Sequence, residues 1–202
     1  TPEIVTLAKI AAKYNGVYAS HMRDEGDSVT QAIEEALTIG REAKIPVEIS
    51  HFKLSGQHNW GRSKETVPMI EAARREGIDV TIDQYPYTAS STSISTLLPD
   101  DVLADGQDSI KARLQQPAIR KQVTDHIIAR LKKRKLKHLN YAVVAYFAPD
   151  TLYNGKSIEQ INLMKGRKHK VKAEAETVMD IMMQGGASAV FHGMSEDDIK
   201  RI

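Results

Sequence analysis

Two histidines, His21 and His51, each close a short apolar run: "GVYASH" ends on the first and "PVEISH" on the second. Imidazole is the commonest metal ligand a protein offers, and adjacent strands of one sheet can bring two imidazoles to a single ion. The residues just downstream are polar as well. Arg23, Asp24, Glu25 and Asp27 follow His21, Lys53 follows His51, and the segment Asp83 to Tyr87 follows a third apolar run, "IDVTID". A lone histidine at a strand end ordinarily hydrogen-bonds a neighbouring loop. Two in equivalent positions of consecutive units leave both readings open, a ligand pair or two loop contacts.

The elements that must position these residues alternate between helix and strand. A helix is expected over 2–14, with Pro2 suited to the first turn and Ile4, Leu7, Ala8 and Ala11 on one face. The strand 16–20 precedes a helix to about 43, whose stripe is Val29, Ala32, Ile33, Ala36, Leu37 and Ile39; Ser28 and Gln31 suit a capping box at its start. Strand 45–50, helix 64–76 stopped by Gly77, and strand 78–83 complete three βα units. Short connections of this kind imply parallel strands whose C-terminal ends form one open, ligand-binding face. That pattern suits a (β/α) barrel or a doubly wound sheet.

After Asp83 the regularity stops. "QYPYTASSTSISTLLP" reads as a long loop above the strand ends, and 108–137 as one long charged helical stretch. Its basic end, "LKKRKLKH", is a solvated helix C-terminus, since no aromatic residues interleave it as a nucleic-acid platform requires. "YAVVAYF" and "ASAVFH" are further strands, separated by a helix over 174–184 in which Met179, Met182 and Met183 face the core. His126, His138 and His169 fall in charged stretches and read as surface residues; His192, at a strand end, is an additional candidate ligand.

Bulk properties narrow the function classes. A formal charge of +2 gives no basis for binding nucleic acid or an anionic membrane, and no run approaches the roughly 20 apolar residues of a membrane-spanning helix. With no cysteine there is no disulfide framework or thiolate chemistry, which fits a cytoplasmic enzyme. The chain starts inside a helical pattern without methionine and stops in a helix just begun, "SEDDIKRI", so an internal segment of a longer protein is expected.

The stretch "GVYASHMRDEGDSVTQAIEEALTIGREAKIPVEISHFKLSGQHNWGRS", followed by "GIDVTIDQYPYTASST", resembles the D-aminoacylase group, the N-acyl-D-amino-acid deacylases of the amidohydrolase superfamily. "FHGMSEDDIKRI" resembles the segment before that group's last barrel strand. The resemblance implies an α/β fold, the C-terminal portion of a (β/α)8 TIM-like metal-dependent hydrolase barrel with a helical insertion after the seventh strand. Residues 1–107 would be barrel βα units, 108–172 the insertion and 173–202 the return to the barrel. It further implies zinc held by His21, ending the fifth strand, and by His51, ending the sixth. His51 would also act catalytically at the substrate carbonyl, with Lys53 and Tyr85 (rather than Tyr87) holding the carboxylate of a small N-acyl amino acid. Arg23 and Glu25 would order the loop by a local ion pair, and His58 and Trp60 would wall the pocket.

The superfamily's His-x-His pair does not occur in the chain, and the expected general-base aspartate of the last strand would lie beyond Ile202. Two ligands are too few for a closed zinc site, so the chain alone is expected to be inactive. Unpaired sheet edges are expected to be covered by another copy or another chain. Two other readings fit the same histidines: an amidohydrolase opening cyclic amides, and a non-catalytic α/β module.

Overall fold

A computed structural model describes residues 1–202, and the chain divides into two compact units. The first comprises Thr1–Thr88 with Met194–Ile202, the second Ala89–Gly193. These bounds differ from the expected 107/108 and 172/173, because residues read as loop and as returning barrel pair with one another inside the second unit.

In the first unit, α1 (Pro2–Ala12), β1 (Tyr18–Ser20), α2 (Val29–Ala43), β2 (Val47–Ile49), α3 (Ser63–Arg75) and β3 (Val80–Ile82) follow the predicted alternation. The strands form a parallel sheet in the order β1-β2-β3. Val47, Ile49 and Val80 turn into the core with Ile33, Leu37 and Ile70 from the helices. Ala19, Glu48 and Thr81 stand in one register layer and are more exposed than the core residues beside them. All six expected stripe residues of α2 are buried. Gly40 lets this helix approach β2, since a Cβ there would collide with Val47 Cγ2.

Two local expectations give way. In α1 the buried residues are Val5 and Ala8, while Leu7 is 61% exposed; the inward stripe is rotated by the packing of α1 on Ile39, Ala43 and Ile45. At α2 no capping box forms. Ser28 makes no side-chain cap, and Asp24 Oδ1 instead accepts from the Gly26 and Ser28 amides at 2.7 and 3.0 Å. The same loop is pinned by Arg23, which donates to both Glu35 oxygens at 3.0 Å, rather than by an Arg23–Glu25 pair.

The second unit opens with β4 (Ala89–Ser93), where a loop was expected. Its Ser/Thr composition carries no apolar alternation; pairing with a later strand makes it a strand. Next come α4 (Asp100–Leu103), α5 (Gln107–Leu114), α6 (Pro117–Lys133), β5 (Ala142–Tyr146), α7 (Ile158–Met164), α8 (Val171–Met183) and β6 (Ser188–His192). The expected single helix over 108–137 is broken at Gln116, whose extended backbone (ψ 124°) is what a following proline imposes. The sheet is antiparallel, ordered β4-β6-β5, so β6 and His192 do not extend the parallel sheet. Ala142, Val144, Ala189 and Phe191 alternate inward against α6 and α8, together with Met179 and Met182. Met183 packs against this core from its edge. No helix is long and apolar enough to cross a membrane.

The chain then re-enters the first unit, where the Met194 amide donates to Thr88 O at 3.1 Å, and ends in α9 (Glu196–Arg201). Buried Asp198 of α9 accepts from the Gly61 and Ser63 amides and the Ser63 hydroxyl. It thereby caps α3, whose own N-cap residue, Arg62, makes no side-chain cap.

Two measurements test this packing. Gly40→Ala gains about 1 kcal/mol of helix propensity but must push Val47 aside, at a typical overpacking cost of about 1–3 kcal/mol. Chemical denaturation is expected to show net destabilisation. The Glu35 carboxyl is lowered from 4.5 to about 2, first by the Arg23 hydrogen bond and then by that of Thr1. A depressed carboxyl contributes stability above its unfolded pKa and loses it as pH falls through the folded value. Glu35→Gln is therefore expected to be less stable than the parent at pH 7, the gap closing between pH 4.5 and about 2 in denaturation midpoints.

Candidate metal centre

β1 and β2 end at the same edge because their parallel register aligns Ser20 with Ile49. Backbone pairing continues past the end of β2, with the Ser50 amide donating to Ser20 O, in the last residue of β1, at 3.0 Å. His21 follows directly on β1. His51 lies two residues beyond β2, in a turn where its own φ is 42°. That left-handed conformation, uncommon for a residue with a side chain, is over-determined by its neighbours. The His51 amide donates to Asp83 Oδ1 at 2.6 Å and the Phe52 amide to Asp83 O at 2.8 Å. Asp83, beyond β3, thus holds the backbone of the His51 turn.

The two imidazoles stack with centroids 4.3 Å apart and planes at 23°. His21 Nδ1 points directly at His51 Nε2. On its other side His51 Nδ1 lies 2.8 Å from Glu25 Oε1, an arrangement that suits a ring proton on Nδ1 with the Nε2 lone pair turned to a cation. A ligating histidine commonly has this carboxylate support. The arrangement fits a shared cation bound through His21 Nδ1 and His51 Nε2.

Lys53 is brought to the same place by the turn that carries His51. Its ammonium lies 2.6 Å from Glu25 Oε1, 2.8 Å from His51 O and 2.7 Å from His51 Nδ1. Burial lowers the Lys53 pKa, and the charge and hydrogen bond of Glu25 act against that. The ammonium sits 5.6 Å over the Tyr85 ring, a cation–π contact that ties the loop after β3 to the pair. Lys53 and Tyr85 line one recess with Gln84 and Met194. Burial, helped by the charge of Glu25, pushes the Tyr85 phenol up to about 12. Tyr87 is 66% exposed.

Glu25 is the component that sequence reading missed. Its expected partner Arg23 bonds Glu35 instead, and only the fold brings Glu25 to His51 and Lys53. His58, expected as a pocket wall, is engaged with Asp27 at 2.5 Å and ties the loops after β1 and β2 together. Trp60, expected beside it, is 46% exposed. The histidines expected on the surface divide. His126 is half-buried on α6 with its pKa lowered by burial, whereas His138 and His169 meet Glu159 and Glu174.

No family model matches the chain. It is 40% identical over 153 residues to a D-aminoacylase of Alcaligenes xylosoxydans xylosoxydans, covering 74% of this chain and 31% of that protein. It is 39% identical over 115 residues to an N-acyl-D-glutamate deacylase of the same organism, covering 57% and 22%. Among solved structures, a D-aminoacylase described as defining a novel subset of amidohydrolases superposes with a TM-score of 0.67 at 31% identity, over 100% of this chain and 33% of that one. An N-acyl-D-glutamate deacylase from Bordetella bronchiseptica, complexed with zinc and a phosphonate mimic of the tetrahedral intermediate, gives 0.67 at 26% identity over 99% and 33%. The chain spans about a third of the length of D-aminoacylase. On this sequence and structural likeness, the chain is similar to about a third of D-aminoacylase and of related N-acyl-D-amino-acid deacylases, including a solved D-aminoacylase of an amidohydrolase subset.

Proposed function

We propose that the chain carries two metal ligands and part of the substrate pocket of a zinc-dependent amidohydrolase, one that converts N-acyl-D-amino acids to a D-amino acid and a carboxylate. The observation that carries this reading is the facing pair His21 Nδ1 and His51 Nε2, at the C-terminal edge of adjacent parallel strands and backed by Glu25. The likeness to D-aminoacylase and to a deacylase holding zinc and a phosphonate supports the same metal and substrate class. In this reading β1, β2 and β3 are the fifth to seventh strands of a (β/α)8 barrel. The layer of Ala19, Glu48 and Thr81 turns to its interior, and the second unit is an insertion after the seventh strand.

When bound between the histidines, zinc would supply Lewis acidity toward the acyl carbonyl and lower the pKa of water toward about 7. His51 is fixed for this role at two points, Glu25 on the ring and Asp83 on the backbone. Lys53 has three N–H groups. Two are satisfied by Glu25 and His51 O, but a His51 Nδ1 that donates to Glu25 cannot also accept the third. In that tautomer the third proton is available to a substrate carboxylate. Tyr85, held protonated by a pKa of about 12, can donate a second hydrogen bond throughout the neutral range. Handedness at the α-carbon then decides whether the acyl group of a substrate so held reaches the metal. The remaining ligands and the general base would come from other strands of the full-length enzyme.

Turnover of paired N-acetyl-D- and N-acetyl-L-amino acids by a full-length protein carrying this chain, with zinc supplied and then chelated, tests the reading. Zinc-dependent turnover of the D series is expected; hydrolysis of neither series refutes it. His51→Ala is expected to lower kcat by about 10²-fold or more, with a much smaller effect on KM. Lys53→Met should instead raise KM by about 10- to 100-fold, the loss of one charge-assisted hydrogen bond. For the isolated chain, the free edges of β1 and β3 are expected to drive self-association. A concentration-independent monomer in sedimentation velocity would contradict that expectation.

A further inference from the structure

The deacylase reading leaves unused a second cluster of ligand-type side chains, all within the second unit. His138 lies in the loop between α6 and β5, Glu159 in the first turn of α7, His169 in the loop between α7 and α8, and Glu174 in the first turn of α8. One donor atom from each lies within 4.8 Å of all the others. His138 Nδ1 is 2.5 Å from Glu174 Oε1 and 3.8 Å from Glu159 Oε1, and His169 Nε2 is 2.5 Å from the same Glu159 oxygen. The two rings stack at 4.0 Å with planes 19° apart.

Separate His–Glu hydrogen bonds would account for each short contact. They do not account for two imidazoles stacked on each other with one Glu159 oxygen close to both. A common ion does. With metal–ligand bonds of about 2.0–2.1 Å, tetrahedral coordination sets donor atoms roughly 3.3 Å apart. The 2.5 and 3.8 Å separations fall on either side of that value. Two carboxylates and two neutral imidazoles carry two negative charges, which a divalent cation cancels. Neutralisation matters here because Glu174 is wholly buried, and a buried charge is costly unless compensated. The other Glu174 oxygen accepts from the Leu139 amide at 2.7 Å, so Oε1 is aimed into the cluster by a supporting hydrogen bond. The flanking lysines, Lys137, Lys168 and Lys170, are exposed and screened.

We propose that His138, Glu159, His169 and Glu174 bind a divalent transition metal, zinc by preference, as a closed four-ligand structural site. Two imidazole nitrogens beside two carboxylate oxygens in a compact set favour zinc-class ions over magnesium or calcium, which take all-oxygen ligands. With four protein ligands no position stays open for substrate. The site clamps the loop before β5 to the N-termini of α7 and α8, independently of His21 and His51.

The test uses the metal-free 202-residue chain carrying His21→Ala and His51→Ala, so that the candidate catalytic pair contributes nothing. Zinc is titrated calorimetrically, cobalt(II) by absorption, and unfolding is followed with and without zinc. The expected result is one equivalent of zinc, a tetrahedral cobalt spectrum and a rise in Tm. The His169 side chain is 51% exposed, so His169→Ala removes a ligand without opening the core; Glu159→Gln keeps the shape and removes the charge. Each is expected to weaken zinc at least roughly tenfold. No zinc uptake, or uptake unchanged by both substitutions, would overturn the site and leave two His–Glu hydrogen bonds in its place.

Discussion

The candidate centre depends on parallel pairing carried past the ends of short strands. Each strand has only three residues, yet Ser50 still bonds Ser20 and the His51 turn still bonds Asp83 beyond them. Those bonds fix where two imidazoles leave the backbone. A register slip of one residue would turn every side chain of β2 to the opposite face. It would bury Glu48 among Ile33 and Leu37 and part the histidines. The hydrophobic face of α2 and the position of His51 are therefore selected together.

One carboxylate then organises the charges. Glu25 meets a lysine and a histidine, and the lysine leans on Tyr85, so three loops from three strands share one polar cluster. Removing one partner of a half-buried cluster of this kind costs more than the pair itself contributes, because the other charge is stranded. The cluster orients the site more than it adds stability.

Much of this was legible in the sequence, and the failures share a cause. The α2 stripe, the three parallel strands and the His21–His51 pair are written in short-range periodicity, which the fold preserves. Arg23, two positions away, is the partner that sequence proximity offers Glu25, because a sequence shows only local partners. Ser28 and Gln31 satisfied a capping pattern that Asp24 pre-empted by reaching the amides first. β4 lacks apolar alternation and exists by virtue of a strand about a hundred residues later. His138 and His169 sat among lysines and looked solvated; only the packing of α7 and α8 brings buried Glu174 and Glu159 to them. The barrel and the roles of individual site residues came from resemblance, and the chain is about a third as long as D-aminoacylase.

The hydrogen bond from the Met194 amide to Thr88 O has a consequence for how the chain could vary. It joins the two points at which the polypeptide leaves and re-enters the first unit, and α9 beyond it supplies the Asp198 cap of α3. The points of departure and re-entry thus lie side by side in the first unit. In the barrel reading, a change of length or composition within Ala89–Gly193 is expected to leave the register of the strands that present the histidines unaltered. Variation can then fall on the second unit while His21 and His51 keep their places.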